Sequence, residues 1–475
     1  MWRSRRGVVV LLAFVFAWSI GGGAGRPAWA AGAGRPAPAR AAGKVVVRIG
    51  ALVDETGAST SPHFRAAVEL AGSQMNEALA RAGSRLAFEF VFGDTKSSPP
   101  RAQTEALRLI NEMQVKALVS DSSGDTVAAN KLNYDPASPA KQKVPITCFQ
   151  CSSSFINDPN VVEADPLTQA AERDLDNWLF RVFYNAKYEA AVQVQLALKH
   201  RKPGQGGGEG HFKIGIFADA GHRSLATAIP ATLPSFYSGP SSIEIIYFTS
   251  LANLAADWAK VVDDRNEATG QTDGVPDVVV VAMLPAEATA AIKAYREAGH
   301  TIPIQSNNSF RRNYILQGVG ATANGLEGSS VAQVDRGPSG DEFVKAFKAA
   351  TGQPPEVTSS GAYDSAVTLM LAAIMAAGDV RRPHDVTPAD IRQALTKIHD
   401  PAGRKILPTV GDFASAVGAM RQGRPINYQG AYYAGGWDAA GDMFPPLVHW
   451  KVENGQFVEY ELYHCSPEKP LCPTK

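Results

Sequence analysis

From residue 44 onward the chain alternates short β-branched runs with longer stretches whose apolar residues return every three or four positions. Residues 45–53 are mostly Val, Ile and Leu and predict a strand buried on both faces. Residues 63–80 carry Ala67, Leu70, Ala71, Met75 and Leu79 at helical spacing. The alternation continues with a strand at 86–92 and a helix at 100–114 whose Ala106, Leu107, Ile110 and Met113 share one face. A strand at 115–120, a short helix at 125–132 and a strand at 144–148 complete the first series. A second series has strands at 213–218, 243–249, 277–282 and 302–305, with helices at 225–236, 252–265 and 286–298. Helices at 341–351, 359–377 and 388–398 and a β-rich tail at 428–463 follow.

Regular βα alternation implies mostly parallel sheets covered by helices on both sides. Two series imply two sheets. The predicted fold is therefore α/β with two lobes, each a doubly wound, mostly parallel sheet, joined by a hinge. The crossover is expected near 180–187, and the glycine-rich stretch 204–210 is read as the loop before the second series. The expected boundaries are 44–183 and 310–425 for lobe 1, 184–309 and 426–463 for lobe 2, and a tail at 464–475.

The first thirty residues stand apart. Arg3, Arg5 and Arg6 precede an apolar run at 8–20, and Ala28-Trp29-Ala30 offers small residues at a cleavage site. This predicts a secretory signal cut after Ala30, a flexible leader at 31–43 and a periplasmic location. No later segment reads as a membrane span; the apolar stretch 369–377 is taken as part of a buried helix. With the signal removed, 42 basic residues face 46 acidic ones, which gives no electrostatic reason to expect nucleic acid.

Four cysteines lie in the exported part, where disulfides are favoured. Cys465 and Cys472 are close together in a Pro-rich tail and predict a local disulfide. Cys148-Phe149-Gln150-Cys151 is a CxxC without a second CxxC or a paired His to complete a zinc site. A structural disulfide or two buried thiols is expected there rather than a redox centre. No metal and no cofactor are expected.

Loops at the carboxyl ends of parallel strands form the ligand crevice of such sheets. Three of these loops are rich in hydroxyls: 55–61, 121–126 and 151–154. Serines beside a helix N-terminus can cradle a carboxylate or an amide; they are also ordinary caps and turn residues.

The order of these segments resembles the leucine/isoleucine/valine-binding-protein family of type I periplasmic binding proteins. The first strand, Thr56-Gly57 and a helix ending Gln74-Met75-Asn76 match the family's first βα unit. Phe90 to Thr95 and the helix from Pro100 match its second. Val119 to Ala128, and Val144-Pro145-Ile146-Thr147 followed by Cys151-Ser152-Ser153, match its ligand loops. Phe180-Arg181 matches the lobe crossover, and Ile426 to Gly430 with Trp437 to Asp442 match the C-terminal signature.

The resemblance implies a monomeric binding protein that captures a small polar molecule between its lobes and delivers it to an ABC transporter permease. By position, Ser122, Ser123, Ser152 and Ser153 should hold the acidic or amide end of the ligand. Tyr184, His222 and Asn307 should reach in from the second lobe. Two departures bear on the ligand. His222 stands where the family has an aromatic, and is either a ligand contact or a turn residue. The loop Gln305-Ser306-Asn307-Asn308-Ser309 has no acid to meet an ammonium group, so a carboxylate without an ammonium, an amide or an aromatic acid is expected at least as readily as an amino acid. Arg223 or Arg311 could meet an anion.

No Gly-x-Ser-x-Gly elbow, P-loop or dinucleotide glycine pattern is present, so no catalytic residue is expected and the chain is read as a binder, not an enzyme. A sensor that presents its ligand to a membrane receptor, and less readily a secreted hydrolase, are the alternatives.

Overall fold

Strand β1 (Val45–Val53) sits in the middle of a sheet because it is apolar on both sides. Val47, Ile49, Ala51 and Val53 pack under the helix Pro62–Arg81, which contributes Phe64, Ala67, Val68, Ala71, Met75 and Leu79. Leu52 faces the other way, toward Ala106, Leu109 and Ile110 of the helix Pro99–Asn111. Ser61 starts the first helix by accepting from the His63 amide at 3.2 Å, with Pro62 in the first turn, where its missing N–H costs nothing.

The computed structural model describes residues 44–202, 210–267, 269–270, 272–332, 337–380, 383 and 385–474. The expected signal and leader, and most of the glycine-rich loop, lie outside the described residues.

The first sheet adds β2 (Leu86–Asp94), β3 (Leu118–Ser120), β4 (Ile146–Cys148) and β5 (Leu179–Arg181) in the order β2-β1-β3-β4-β5, all parallel. The second sheet contains β6 (Phe212–Ala218), β7 (Ser241–Tyr247), β8 (Val278–Ala282), β9 (Ile304–Ser306) and β10 (Glu327–Val331). A two-stranded sheet of β11 (Arg404–Ile406) and β12 (Ile426–Tyr428) lies elsewhere. The hairpin β13 (Leu447–Glu453) and β14 (Gln456–Tyr463) closes the second sheet, whose order is β14-β13-β10-β9-β8-β6-β7. Asn454 and Gly455 both have positive φ, 52° and 73°, as a two-residue hairpin turn between right-twisted strands requires.

Three expectations need correction. The first core was expected to resume at 310, but β10 pairs with β9 and β13 in the second sheet, so the return comes after Val331. The second lobe was expected to resume at 426, but Ile426, Tyr428 and Ala431 are buried in the first core beside Ile406 and Phe413. No membrane-length apolar segment was expected beyond the signal, yet the helix Ser359–Ala377 is long and apolar enough, and 89% of its span is buried. It is the central helix of the first core, packed against the helices Pro62–Arg81 and Pro388–Leu395.

The crossovers meet at one buried ion pair. Arg181, fully buried at the end of β5, reaches Asp442 at 3.0 Å, and Asp442 also accepts from Asn157 at 3.0 Å. The Trp437 indole donates to the Arg181 carbonyl at 2.9 Å. These are the Phe180-Arg181 and Trp437 to Asp442 segments singled out by the sequence. Cys465 is bonded to Cys472, the expected pair, and Cys148 to Cys151 at the end of β4.

Candidate functional site

In each main sheet the strand order reverses direction once, and there the following helices leave to opposite faces. In the first sheet this happens between β1 and β3: the helix after β1 covers one face, the helix Ser123–Tyr134 after β3 the other. In the second it happens between β6 and β8, followed by the helices Arg223–Thr232 and Pro285–Glu297. Such a reversal leaves a crevice at the carboxyl ends of the strands. The two crevices line one cavity of about 330 Å³.

The first half contributes three acids to its wall. Asp54 and Asp121 are the residues immediately after β1 and β3, and Asp125 lies in the first turn of the helix that follows. Asp54 accepts from the Gly57 amide at 2.5 Å, the Ser59 amide at 2.8 Å and the Ser97 hydroxyl. Asp121 Oδ2 accepts the Asp54 amide at 2.5 Å. Asp125 is engaged by the side chains of Thr95 and Ser122, and Asp121 and Asp125 bond to each other. Burial, and then the charge of Asp125, pushes Asp121 well above the usual carboxylate range; burial also raises Asp125.

The second half is built differently. Asp219, the residue after β6, accepts from the His222 amide at 2.9 Å, from His222 Nδ1 at 2.8 Å and from the Leu284 amide at 2.6 Å. His222 Nε2 is 3.0 Å from the Ser309 hydroxyl. Burial works to raise Asp219, but the His222 charge and these hydrogen bonds outweigh it and bring it down to about 2. Burial works to lower His222, but Asp219, with the charges of Glu189 and Glu287, holds it above its ordinary value. Behind this wall the Tyr184 hydroxyl donates to Glu189 at 2.9 Å, and burial pushes Glu189 up to about 7.

Of the residues expected from sequence, Ser122, Ser123, Ser152, Tyr184 and His222 line this cavity. Ser122 also caps its helix by accepting from the Asp125 amide at 3.2 Å, and Ser123 accepts from the Ser153 amide at 3.1 Å. Ser153 lines an adjoining cavity of about 340 Å³ with Phe155 and Glu163 instead. Asn307 is buried behind the wall, and its neighbours Asn308 and Ser309 face the cavity in its place. The two arginines weighed for an anion are otherwise engaged: Arg223 pairs with Glu163 and Arg311 with Glu459. Arg312 lines the cavity, where it donates to the Ser59 carbonyl at 3.3 Å.

From sequence, Asp121 and Asp125 fall in a hydroxyl-rich loop without a role of their own, and the absence of an acid for an ammonium group was read from the loop Gln305 to Ser309. The structure places the acids on the opposite wall from the loop searched. Their signal was available: β1, β3 and β6 are each followed directly by Asp. Among the described residues no group of His, Cys, Asp and Glu is arranged to hold a metal ion.

Two sheets meeting at their switch points around an enclosed cavity define a two-lobed α/β binding fold, that of the type I periplasmic binding proteins. Residues 267–431 match the model of the family described as Periplasmic binding protein, in line with the resemblance drawn from the sequence. The fold match spans most of the chain. The leucine binding protein LivK from Thermotoga maritima has a TM-score of 0.62 at 16% identity, covering 89% of this chain and 99% of its own. The branched-chain amino acid transporter substrate binding protein LivJ from Streptococcus pneumoniae, in complex with isoleucine, scores 0.58 at 18% identity and covers 88% and 100%. A solute binding protein of an ABC transporter from R. palustris, in complex with benzoate, scores 0.60 at 16% identity and covers 91% and 98%. No curated protein matches the sequence.

Proposed function

We propose that this protein is an extracytoplasmic solute-binding protein that holds a small polar molecule in the cavity between its two switch points and delivers it to an ABC-type importer. The observation that carries the reading is the cavity itself: about 330 Å³, a volume suited to a small solute, walled by loops from both sheets. The solved structures that share the fold include proteins holding isoleucine and benzoate in their complexes. Ser122, Ser123 and Ser152 on one side, and Tyr184 and His222 on the other, are the proposed contacts. Solute bound to both walls stabilises the closed arrangement by its differential affinity, and that arrangement is what a permease reads. Export by cleavage after Ala30 and action as a monomer belong to the same proposal.

A thermal-shift screen of small acids, amides, amines and amino acids is the direct test, since a tight ligand raises Tm by mass action. Leu284→Trp, which fills the cavity from the second wall, should abolish the shift given by any hit. A hit that survives this substitution binds elsewhere and removes the cavity from the proposal.

One observation favours a second reading, a hydrolase. Asp219, His222 and Ser309 form a hydrogen-bonded series like that of an acid, a base and a nucleophile. The electrostatics weigh against it. Asp219, Glu189 and Glu287 favour protonated His222, and an imidazolium cannot take the Ser309 proton. Incubation with p-nitrophenyl esters and with a fluorophosphonate probe tests this; Ser309-dependent turnover or labelling would establish the hydrolase.

A further inference from the structure

Away from the crossovers, two arginines of the second half reach across to the first in the same way. Arg223, the first residue of the helix Arg223–Thr232, pairs with Glu163 and sets its guanidinium 5.0 Å from the centre of the Phe155 ring. Arg312 donates to the Ser59 carbonyl at 3.3 Å and sets its guanidinium 5.6 Å from the centre of the Phe64 ring. Each combines an oxygen acceptor with an aromatic face, a pairing that suits a planar, weakly hydrated guanidinium. Arg312 belongs to the solute cavity already described. Arg223 does not: with Glu163 and Phe155 it lines the adjoining cavity of about 340 Å³.

Both ends of the Arg223 contact are held in place by their own half. Glu163 sits on a loop tied to the helix Pro166–Arg173: its amide donates to Gln169 at 3.2 Å, and Arg173 donates twice to the Val161 carbonyl, at 3.0 and 2.8 Å. Arg223 follows His222, which Asp219 and Ser309 fix. Neither end serves its own core: the Arg223 side chain is 50% exposed, and Val162, next to Glu163, is 80% exposed. An ion pair this exposed does little for folding. An open–closed balance is more sensitive, because a small free-energy difference changes its populations several-fold. The contact exists only when the halves are together, so whatever it contributes falls on the closed side.

We propose that Arg223, through Glu163 and Phe155, is a clasp that holds the cleft partly closed before any solute arrives, so that binding completes a closure already populated. The proposal rests on the reading that the two halves open and close about the crossovers, but it needs no solute and makes no claim about which one binds. Because the pair lies outside the solute cavity, it tunes affinity without touching the solute. Weakening it leaves every solute contact intact and lowers only the share of molecules ready to bind.

Double electron–electron resonance on the purified, solute-free protein tests the clasp. Spin labels at Thr104→Cys and Lys293→Cys, exposed positions on one helix of each half, report the separation of the halves. All four native cysteines are disulfide-bonded and do not compete for label. The labelled parent should show a short and a long distance. Glu163→Gln and Arg223→Gln should each raise the long-to-short ratio about threefold, and Glu163→Arg should raise it further by repulsion. Sodium chloride at about 1 M should move the parent in the same direction and Glu163→Gln less, because salt screens an exposed pair. An unchanged Tm shows that each variant is folded; if one is not, the other two and the salt series decide. The clasp is overturned if the solute-free parent is already wholly open, or if the folded variants keep the parent's distance distribution. Either result leaves the cavity reading standing, since the thermal-shift screen judges that by itself.

Discussion

The two switch points are built on one plan and charged differently. In each, the first residue after the central strand is an aspartate, Asp54 after β1 and Asp219 after β6. Each is tied to the adjacent switch-point loop: the Asp54 amide donates to Asp121, and the Leu284 amide donates to Asp219. On the second wall His222 balances the acid, and the set is closed electrostatically. On the first, two further acids are added, and Arg312 reaches the same loops through the Ser59 carbonyl. The second wall is organised around an acid–base pair, the first around a cluster of carboxyls. The serines of the first wall are partly spent on caps and on joining loops.

The contrast can be broken most forcefully at Asp219. Asp219→Ala removes the acceptor of three donors and leaves a buried imidazolium, and should cost about 3 kcal/mol in urea unfolding. A cost near zero would mean that the second wall is not held by this pair. Ser123→Ala deprives the Ser153 amide of its acceptor and should cost about 1 kcal/mol by the same measurement. At the small end, Asp125→Asn should leave stability unchanged within about 0.5 kcal/mol or raise it, because burial opposes the wild-type carboxylate. A loss as large as that of Asp219→Ala would show that Asp125 is structural.

A change of pH acts on both halves at once. Burial pushes Glu172, in the first half, and Glu189 and Glu287, in the second, up to about 7, and Asp174 up to about 6. Between about pH 5 and 7 the folded chain holds protons on these groups that the unfolded chain has released. Stability from raised carboxyls is complete below the unfolded values and is lost as pH rises through the folded ones. His222, also raised, acts in the same direction above its ordinary value. His399, lowered by burial to about 4, opposes it between about 4 and 6.5. Tm should therefore be higher near pH 5.5 than near pH 7.5, and the reverse order would show that these carboxyls are ionised in the fold.

Much of the fold was legible because burial on both faces leaves a mark in the sequence. β1 and β8 are β-branched runs that can hardly be anything else, and the tail at 428–463 is visibly β-rich. β10 was missed because Glu327-Gly328-Ser329-Ser330-Val331 carries little apolar surface. Gly328 is required where the strand passes against the Ser306 carbonyl and Trp450, and the serines are spent on hydrogen bonds to Glu189, Gln193 and Arg311. The site was half legible. Loops after strands were found, and five of the seven expected residues line the cavity. Which side chain of a loop turns inward depends on backbone geometry that no spacing rule reports, so Asn308 took the place of Asn307. The acids were overlooked because Asp at a helix start has a sufficient local reason to be there.

The first core draws on residues 47–180 and again on 343–431, with the entire second sheet before its final hairpin threaded between. A chain emerging from its N-terminus therefore displays the apolar underside of its first sheet long before the helix Ser359–Ala377 arrives to cover it. Such a nascent protein depends on something else to shield that surface during synthesis, and truncation anywhere before Ala431 yields a fragment with an unfinished core and a tendency to aggregate.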